Sequence, residues 1–355
     1  MIFQNKRIVV TGGTGSLGKV LVRRILSGEE GLPAAVTVFS RDEGKQHEMR
    51  LQYLHKEVST DEVIFNNFKN LLKFVIGDVR DYSDVCSVLR DADIVINAAA
   101  LKQVPTCEYF PEQAVLTNCM GAYNITRAIR EHGYSVDTIV GVSTDKAAKP
   151  VNAMGMTKAI QERIFIAANV LSEKTRFISV RYGNVLASRG SVIPLFHEQL
   201  KYGKPLTITH PDMTRFLMSL NHAVDTVFNA IAHAFPGEIF VPDAPSSNII
   251  NIAKALIGDR SNEIKIVGVR PGEKMHELLI SEEECHHTSR RGDYYAVHPM
   301  LPELQDRGGK IVPALEKELS SEDNILSLEK TIELLKHHGL LPGQKLSIDD
   351  SEMLA

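Results

Sequence analysis

The stretch KRIVVTGGTGSLG, residues 6–18, decides the fold. Its first six residues form an apolar, β-branched run without polar alternation, which is typical of a strand buried on both faces. Four glycines follow within positions 12–18, and Lys19–Leu26 then repeats apolar residues at helical spacing. Glycines in this setting let the backbone turn tightly and approach a pyrophosphate at the positive end of the helix. The stretch therefore predicts a dinucleotide-binding unit, with an ordinary tight turn as the alternative.

Strands and helices alternate along the following residues. Further strands are predicted at Ala35–Phe39, Leu71–Ile76, Asp93–Asn97, Thr138–Val142 and Thr175–Arg181. Helical patterns cover Gln46–Leu54, Tyr82–Leu89, Thr117–Arg130 and Ala159–Leu171, and Ser59–Asn70 is expected to be an irregular insertion. This alternation predicts an α/β protein with a Rossmann-type, doubly wound parallel sheet that binds ligands at the carboxyl ends of its strands.

The domain organisation follows from a change to shorter mixed elements after the sixth strand. We expect residues 1–185 to form an NADP-binding Rossmann domain, to which some later segments return. Residues 186–300 are expected to form a smaller substrate-binding lobe, and residues 301–355 a C-terminal extension. One amphipathic helix is predicted in that extension, at Ile325–His337.

Composition excludes several classes of function. The 355 residues are 43% hydrophobic and 24% charged with a formal net charge of -4, so a nucleic-acid partner is not expected. The sequence has no apolar run that could span a bilayer and no signal region, which predicts a cytoplasmic protein without a membrane partner. The four scattered cysteines fit reduced thiols. Adjacent residues in Glu282–His287 rarely converge on one ion, so no metal site is expected.

The residues at the end of the second predicted strand indicate which nicotinamide cofactor is preferred. Ser40 and Arg41 suit a 2′-phosphate and favour NADP, while Asp42 leaves NAD as the alternative; a solvated surface arginine is the other interpretation. Asp78 could bond the adenine amino group or cap the next helix. The candidate cofactor-binding residues are Gly12, Thr14, Gly15, Ser16, Leu17, Gly18, Ser40, Arg41, Lys45, Asp78, Val79, Ala98, Ala99, Ala100, Asn118 and Lys158.

A hydroxyl, an acid and a base stand together where the fifth predicted strand ends. These are Thr144, Asp145 and Lys146, and their concentration suggests a reaction centre. On spacing alone, a structural role is as plausible as a reaction centre: a surface ion pair after the strand, or a helix cap at Asp145. Met154 and Lys158 follow at an i, i+4 spacing, which places them on one helix face.

Six separated motifs resemble one family in the same order along the chain. The sequence is similar to the extended short-chain dehydrogenases/reductases, and specifically to the UDP-N-acetylglucosamine 4,6-dehydratases of capsule and flagellin glycosylation. The resemblance spans about residues 5 to 300 and is carried by Phe39–Gln46, Ala98–Tyr109, Val142–Ala159, Arg181–Phe196, Met213–Phe216 and Arg270–Glu277. It implies oxidation at sugar C4, elimination of water across C5–C6 and return of the hydride to C6, giving a UDP-4-keto-6-deoxy sugar.

The resemblance also implies roles for single residues. Asp145 would protonate the leaving C6 hydroxyl, and Lys146 would take the C5 proton. Both would then need pKa values drawn toward neutrality by burial. Thr144 is the nearest hydroxyl for the C4 proton, and Lys158 would bind the nicotinamide ribose. The candidate substrate-binding residues are Lys102, Asn184, Arg189, Val192, Arg215, Arg270 and Glu273; the two turn-like arginines, 215 and 270, suit a pyrophosphate, with surface ion pairs as the alternative.

One departure from the family pattern concerns Met154. Short-chain dehydrogenases normally carry Tyr-x-x-x-Lys, but methionine stands four residues before Lys158 here, as in one subgroup of the dehydratases. A thioether cannot exchange a proton usefully, so the group that takes the C4 proton stays open. The alternatives are a UDP-sugar 4-epimerase, a variant that forms or reduces a 5,6-alkene, and a non-catalytic NADP-binding regulatory protein. The family's tendency implies a homo-oligomer.

Overall fold

The computed structural model describes residues 1–54, 71–186, 191–270, 272–305 and 311–344. Its strands are β1 (Arg7–Thr11), β2 (Ala35–Ser40), β3 (Leu72–Ile76), β4 (Ile94–Asn97), β5 (Thr138–Val142), β6 (Arg176–Val180), β7 (Asn184–Val185), β8 (Leu206–Ile208), β9 (Thr214–Met218), β10 (Ile239–Pro242), β11 (Ser246–Asn248), β12 (Ile264–Ile266), β13 (Leu278–Ile280), β14 (Thr288–Arg291), β15 (Tyr294–Val297) and β16 (Leu319–Ser320).

The helices connect these strands on both sides of the main sheet. They are α1 (Ser16–Ser27), α2 (Glu43–Leu54), α3 (Tyr82–Leu89), α4 (Val104–Tyr109), α5 (Pro111–Ala114), α6 (Gly121–His132), α7 (Ala153–Ala168), α8 (Val192–Lys201), α9 (Leu220–His233), α10 (Ile249–Ile257), α11 (Glu282–Cys285), α12 (Pro302–Gln305) and α13 (Leu328–His337). A π-helical turn at Val115–Met120 precedes α6, and a 3₁₀ turn at Asp145–Ala147 follows β5.

Nine strands form one sheet in the order β14-β15-β10-β6-β5-β4-β1-β2-β3. The strands from β3 to β10 in that order run parallel, and β15 and β14 add an antiparallel edge. Neighbouring residues of β1 explain its unbroken apolar run, because Val10 packs into the core on one face and Val9 into the core on the other. The predicted α/β fold is confirmed, and all six predicted strands occur within one residue of the expected bounds.

Several helices begin at residues other than those predicted; α2, for example, begins at Glu43 rather than at Gln46. The start of α7 lies six residues before Ala159, because the Asn152 side chain accepts a hydrogen bond from the Gly155 amide and caps the helix. The start of α13 lies after Ile325, because Ser327 provides the cap there. The predicted insertion at Ser59–Asn70 lies wholly outside the described residues.

The chain after residue 186 contributes to more than one layer. The smaller layer consists of a three-stranded sheet β11-β9-β7, to which β7 comes from just before residue 186, and the pairs β8-β12 and β13-β16. By contrast, β10, β14 and β15 belong to the large sheet. The segment therefore passes repeatedly between the two layers. Within the described ranges, no helix is long and apolar enough to cross a membrane.

Candidate active site

The loop between β1 and α1 approaches the loop after β4 closely. Gly12 has a φ of +66°, and a Cβ there would lie 2.8 Å from backbone atoms of Ala99. Gly15 begins α1 without a side-chain cap, and the first turn contains no acidic residue. Free amides and an uncompensated helix dipole at this end suit a diphosphate. The residues present therefore fit a dinucleotide.

The end of β2 presents a mixed set of polar groups. Ser40 contacts the Thr14 hydroxyl at 3.3 Å, and the nearby carboxylate of Asp42 is already paired with Lys45 at 3.1 Å. The Arg41 guanidinium is about half exposed and lies 3.6 Å from the Asp78 carboxylate. Among the described residues, this end of the strand therefore presents a half-exposed guanidinium, paired with Asp78, beside an Asp42 carboxylate that is paired with Lys45.

Asp78 is not the cap of α3. That role belongs to Asp81, whose side chain accepts from the Asp84 amide, so the capping alternative for Asp78 is wrong. Burial would raise the pKa of Asp78, but hydrogen bonds from Arg80 outweigh it and hold the pKa below its usual range. Asp78 is therefore an ionised acceptor at the end of β3.

Asp145 is a buried carboxyl group directly after β5. It is 1% exposed, and its Oδ1 accepts hydrogen bonds from Thr144 Oγ1 at 2.9 Å and from Lys146 Nζ at 3.0 Å. Its Oδ2 is buried without a hydrogen-bond partner among the described residues. Burial and the nearby charge of Glu277 raise the pKa of Asp145, although Lys146 opposes this. The group is therefore suited to donate a proton.

Lys146 lies between two carboxyl groups. Its Nζ contacts Asp145 and, at 2.9 Å, Oε1 of Glu277, which is 2% exposed. Burial would lower the pKa of Lys146, but the two carboxylates outweigh it and raise the pKa. The expectation that burial would draw this pKa toward neutrality is wrong, because the second carboxylate keeps the ammonium charged.

Met154 and Lys158 lie on one buried face of α7. The Met154 side chain packs in an apolar cluster with Cys107 and Ala114. Lys158 Nζ donates to Gln161 Oε1 at 2.7 Å, and burial lowers the pKa of Lys158 to about 8. Asn118 supports this region from the π-helical turn, where it is fully buried and bonds the backbone of Leu101 and the hydroxyl of Thr157. Its amide is thus occupied by protein partners.

A pocket in the smaller layer brings together three predicted substrate residues. Its described lining includes Asn184, Ser191, Val192, Arg215 and Leu217. Asn184 Oδ1 and Ser191 Oγ are buried there without hydrogen-bond partners among the described residues. Arg215 is 8% exposed, and carbonyls of Thr214 and Met275 accept hydrogen bonds from its guanidinium. Unsatisfied buried polar atoms beside an arginine suit a polar, anionic ligand.

The other predicted substrate residues do not line this pocket. Lys102 is exposed beyond β4, and Arg270 is exposed in a turn in which its backbone amide donates to the Glu273 carboxylate at 3.2 Å. Arg189 lies outside the described residues. Within those residues, no group of three or more His, Cys, Asp or Glu side chains could hold a metal ion.

Sequence reasoning missed Glu277 and Ser191. Glu277 immediately precedes the apolar run of β13, so it repeats the pattern of a carboxylate beside a buried strand that singled out Asp145. That signal could have found it. Ser191 offered no comparable signal, since a serine before a helix is read first as a cap.

Residues 8–299 match the model of a family described as polysaccharide biosynthesis protein. This chain belongs to that family. Among its relatives, proteins named UDP-glucose 4-epimerase from Rickettsia bellii and Rickettsia conorii are 43% and 45% identical, over 94% of this chain and 96% of theirs.

Solved structures of similar proteins agree with the fold. The structure of Pen from Bacillus thuringiensis is 32% identical with a TM-score of 0.84, over 96% of this chain and 100% of that one. The dTDP-glucose 4,6-dehydratase DesIV from Streptomyces venezuelae has a TM-score of 0.64 at 22% identity, over 76% of this chain and 86% of its own. The second likeness supports the fold alone.

Proposed function

We propose that this chain is an NADP-dependent nucleotide-sugar 4,6-dehydratase acting on UDP-N-acetylglucosamine. The observation that carries the proposal is the buried Asp145, whose pKa is raised and whose Oδ2 is free beside Lys146. Elimination requires an acid that protonates the departing C6 hydroxyl, whereas no hydroxyl departs during epimerisation at C4. The resemblance of six motifs to the 4,6-dehydratases supports the same reaction.

The glycine loop and the uncapped α1 would hold the pyrophosphate of the cofactor. Arg41 and Ser40 would receive the 2′-phosphate, which favours NADP because Asp42 is engaged with Lys45. The nicotinamide would supply a reversible hydride acceptor at C4. In the smaller layer, Arg215 and the polar atoms of Asn184 and Ser191 would bind the UDP portion.

The protein side chains divide the proton transfers. Asp145 donates to the C6 hydroxyl as it leaves, and Lys146 receives the C5 proton once it has given up a proton of its own. Lys158, as a cation, orients the nicotinamide ribose. Thr144, which bonds the acid at 2.9 Å, is the hydroxyl that would take the C4 proton. Met154 cannot take it, because a thioether exchanges no proton, and Tyr182 stays protonated because burial raises its pKa.

A UDP-sugar 4-epimerase is the second candidate. The specific observation in its favour is the name of the Rickettsia relatives, which are 43–45% identical. Product mass after incubation with UDP-N-acetylglucosamine or UDP-glucose separates the two candidates. The proposal predicts the loss of one water from UDP-N-acetylglucosamine and a new C6 methyl signal in the NMR spectrum. Asp145→Asn, which keeps the size of the side chain but cannot donate the acid proton, should remove that product. An unchanged mass with an inverted C4 would show the epimerase.

A further inference from the structure

The ammonium of Lys146 is held at nearly equal distances by two carboxyl groups. Nζ lies 3.0 Å from Asp145 Oδ1 and 2.9 Å from Glu277 Oε1. A lysine that must accept the C5 proton has to give up a proton first. Glu277 is the group in contact with Lys146 that is able to receive that proton as a carboxylate.

We propose that Glu277 accepts a proton from Lys146, so that Asp145, Lys146 and Glu277 form a closed proton relay for the elimination step. This inference rests on the proposed dehydratase function and deepens it. Glu277 acts through Lys146 and is in that sense a positioning residue, whereas Asp145 and Lys146 exchange protons with the sugar.

The relay balances without a proton from solvent. As the C5–H bond breaks, its proton passes to Lys146 while Lys146 passes one of its own protons to Glu277. The electron pair of the broken bond forms the C5–C6 double bond, and the C6–O bond breaks with its electrons on oxygen. The oxygen takes the proton of Asp145 and leaves as water. Glu277 then returns its proton through Lys146 to Asp145, and the three groups regain their starting states.

The resting charge states permit this direction of transfer, which the raised pKa of Lys146 and the lowered pKa of Glu277 make uphill until the C5 proton reaches Lys146. Burial would raise the pKa of Glu277, but Lys146 and Arg215 outweigh it and lower the pKa, so Glu277 begins as an acceptor. Burial raises the pKa of Asp145, so that group begins as a donor. Lys146 lies between the two and contacts both.

Several contacts hold Glu277 against the Lys146 segment. The Glu277 amide donates to Ser321 Oγ at 2.9 Å, and Arg215 Nε lies 3.8 Å from its Oε1. Nearby, Lys274 Nζ donates to the Ala148 carbonyl at 2.7 Å. The backbone contacts hold the Glu277 segment beside Lys146, and the carboxylate itself meets Lys146 and Arg215 through Oε1. Its Oε2 is buried and has no hydrogen-bond partner among the described residues.

The test compares Glu277→Gln with the wild type in turnover of UDP-N-acetylglucosamine. The relay predicts a fall in kcat of about 100-fold or more with little change in KM, because one general acid–base transfer is lost. C4 oxidation precedes the relay, so the rise in reduced-nicotinamide absorbance on mixing should persist. The kcat of the variant should also rise with pH, since Lys146 must then lose its proton to solvent. Glu277→Asp should restore part of the rate.

Glu322→Gln is the matched control, since this carboxylate lies 3.4 Å from His276 beside the site and is about half exposed. It should behave as the wild type does. A Glu277→Gln variant that retains kcat within a few-fold would overturn the relay. A parallel loss of rate and absorbance change at every pH would also overturn it, since it indicates a purely structural role. If Glu277→Gln does not fold, Glu277→Asp decides alone: an unchanged kcat-against-pH profile at a reduced rate supports the relay, and loss of the absorbance change opposes it. Failure of the proposed function itself is seen in the wild type, as absence of a dehydrated product.

Discussion

The ammonium of Lys158 donates a hydrogen bond to the neutral amide of Gln161 rather than pairing with a carboxylate. The two side chains meet at 2.7 Å inside α7, and Gln161 also donates to the carbonyl of Val142 at the end of β5. Because burial is the largest influence on the ammonium, its pKa falls to about 8. A group with this pKa changes its charge just above neutral pH.

This pKa predicts an alkaline limit of activity. If the cation binds the ribose, kcat/KM should fall as pH rises through about 8, since Lys158 then loses its charge. Gln161→Glu adds an opposite charge in contact, which should raise that pKa by about 1 unit or more and move the limit to higher pH. A pH–rate profile measures this. Gln305→Glu makes the same change at the surface and should leave the profile unmoved. An unmoved limit in Gln161→Glu would contradict the assignment to Lys158.

Met154 should be replaceable by another apolar residue of similar size. It is 5% exposed and packs with Cys107 and Ala114, so Met154→Leu should cost less than about 1.5 kcal/mol in the free energy of unfolding. Turnover should be retained. Steady-state kinetics and thermal unfolding together check this expectation. A large loss of kcat at an unchanged Tm would mean that the thioether takes part in the chemistry.

Arg41 should distinguish between the two nicotinamide cofactors. Its guanidinium is about half exposed at the end of β2, where the proposal places the 2′-phosphate. Arg41→Ala should weaken NADP binding by about tenfold or more, because a charge-assisted hydrogen bond contributes about 1.5–3 kcal/mol. NAD binding should not change. Calorimetric titration with both cofactors measures the difference, and equal weakening of both would argue against a phosphate contact.

Gly12 should tolerate alanine much less well than Gly133 does. Both have positive φ, +66° and +62°, but a Cβ at Gly12 would lie 2.8 Å from Ala99, whereas nothing lies within 4 Å at Gly133. Gly133→Ala should therefore lower the free energy of unfolding only by the strain of a left-handed backbone at a residue with a Cβ, about 1–2 kcal/mol. Gly12→Ala should cost more and weaken cofactor binding. Urea unfolding of the two variants measures the contribution of close approach, and equal costs would rule it out.

The buried ion pairs of Arg181 should make the free energy of unfolding depend on pH in the acid range. Its guanidinium contacts Glu162 at 2.7 Å and Glu284 at 2.8 Å. Burial would raise the pKa of Glu284, but Arg181 outweighs it and lowers that pKa to about 2. Because the pKa is lower in the folded state than in the unfolded state, the ion pair stabilises the fold fully above about pH 4.5. As the pH falls toward 2, the free energy of unfolding should decrease by about 3 kcal/mol. Glu284→Gln should remove this dependence and cost about 3–5 kcal/mol at neutral pH.

Unfolding in urea between pH 6 and 2.5 tests that dependence. Glu131→Gln changes an exposed carboxylate that pairs with Arg127 and serves as the control. The prediction fails if the Glu284→Gln protein shows the same pH dependence as the control.

The large sheet could be predicted because strands buried on both faces leave continuous apolar runs in the sequence. The placement of Asp145 and Lys146 followed, since polar residues after such a run reach the carboxyl edge of the sheet. The first residues of the helices were harder to predict, because the capping residue Asn152 cannot be distinguished in sequence from other asparagines in loops. The charge state of Lys146 could not be predicted at all. It depends on Glu277, which is distant in sequence and reaches Lys146 only through tertiary packing.

The contact between Lys146 and Glu277 joins two parts of the chain that lie far apart in sequence. Every residue assigned to the cofactor lies at or before position 158, whereas the second carboxylate at Lys146 arrives only with β13. During synthesis on a ribosome, a nascent chain would thus contain the whole cofactor-binding segment well before its acid–base group could assemble.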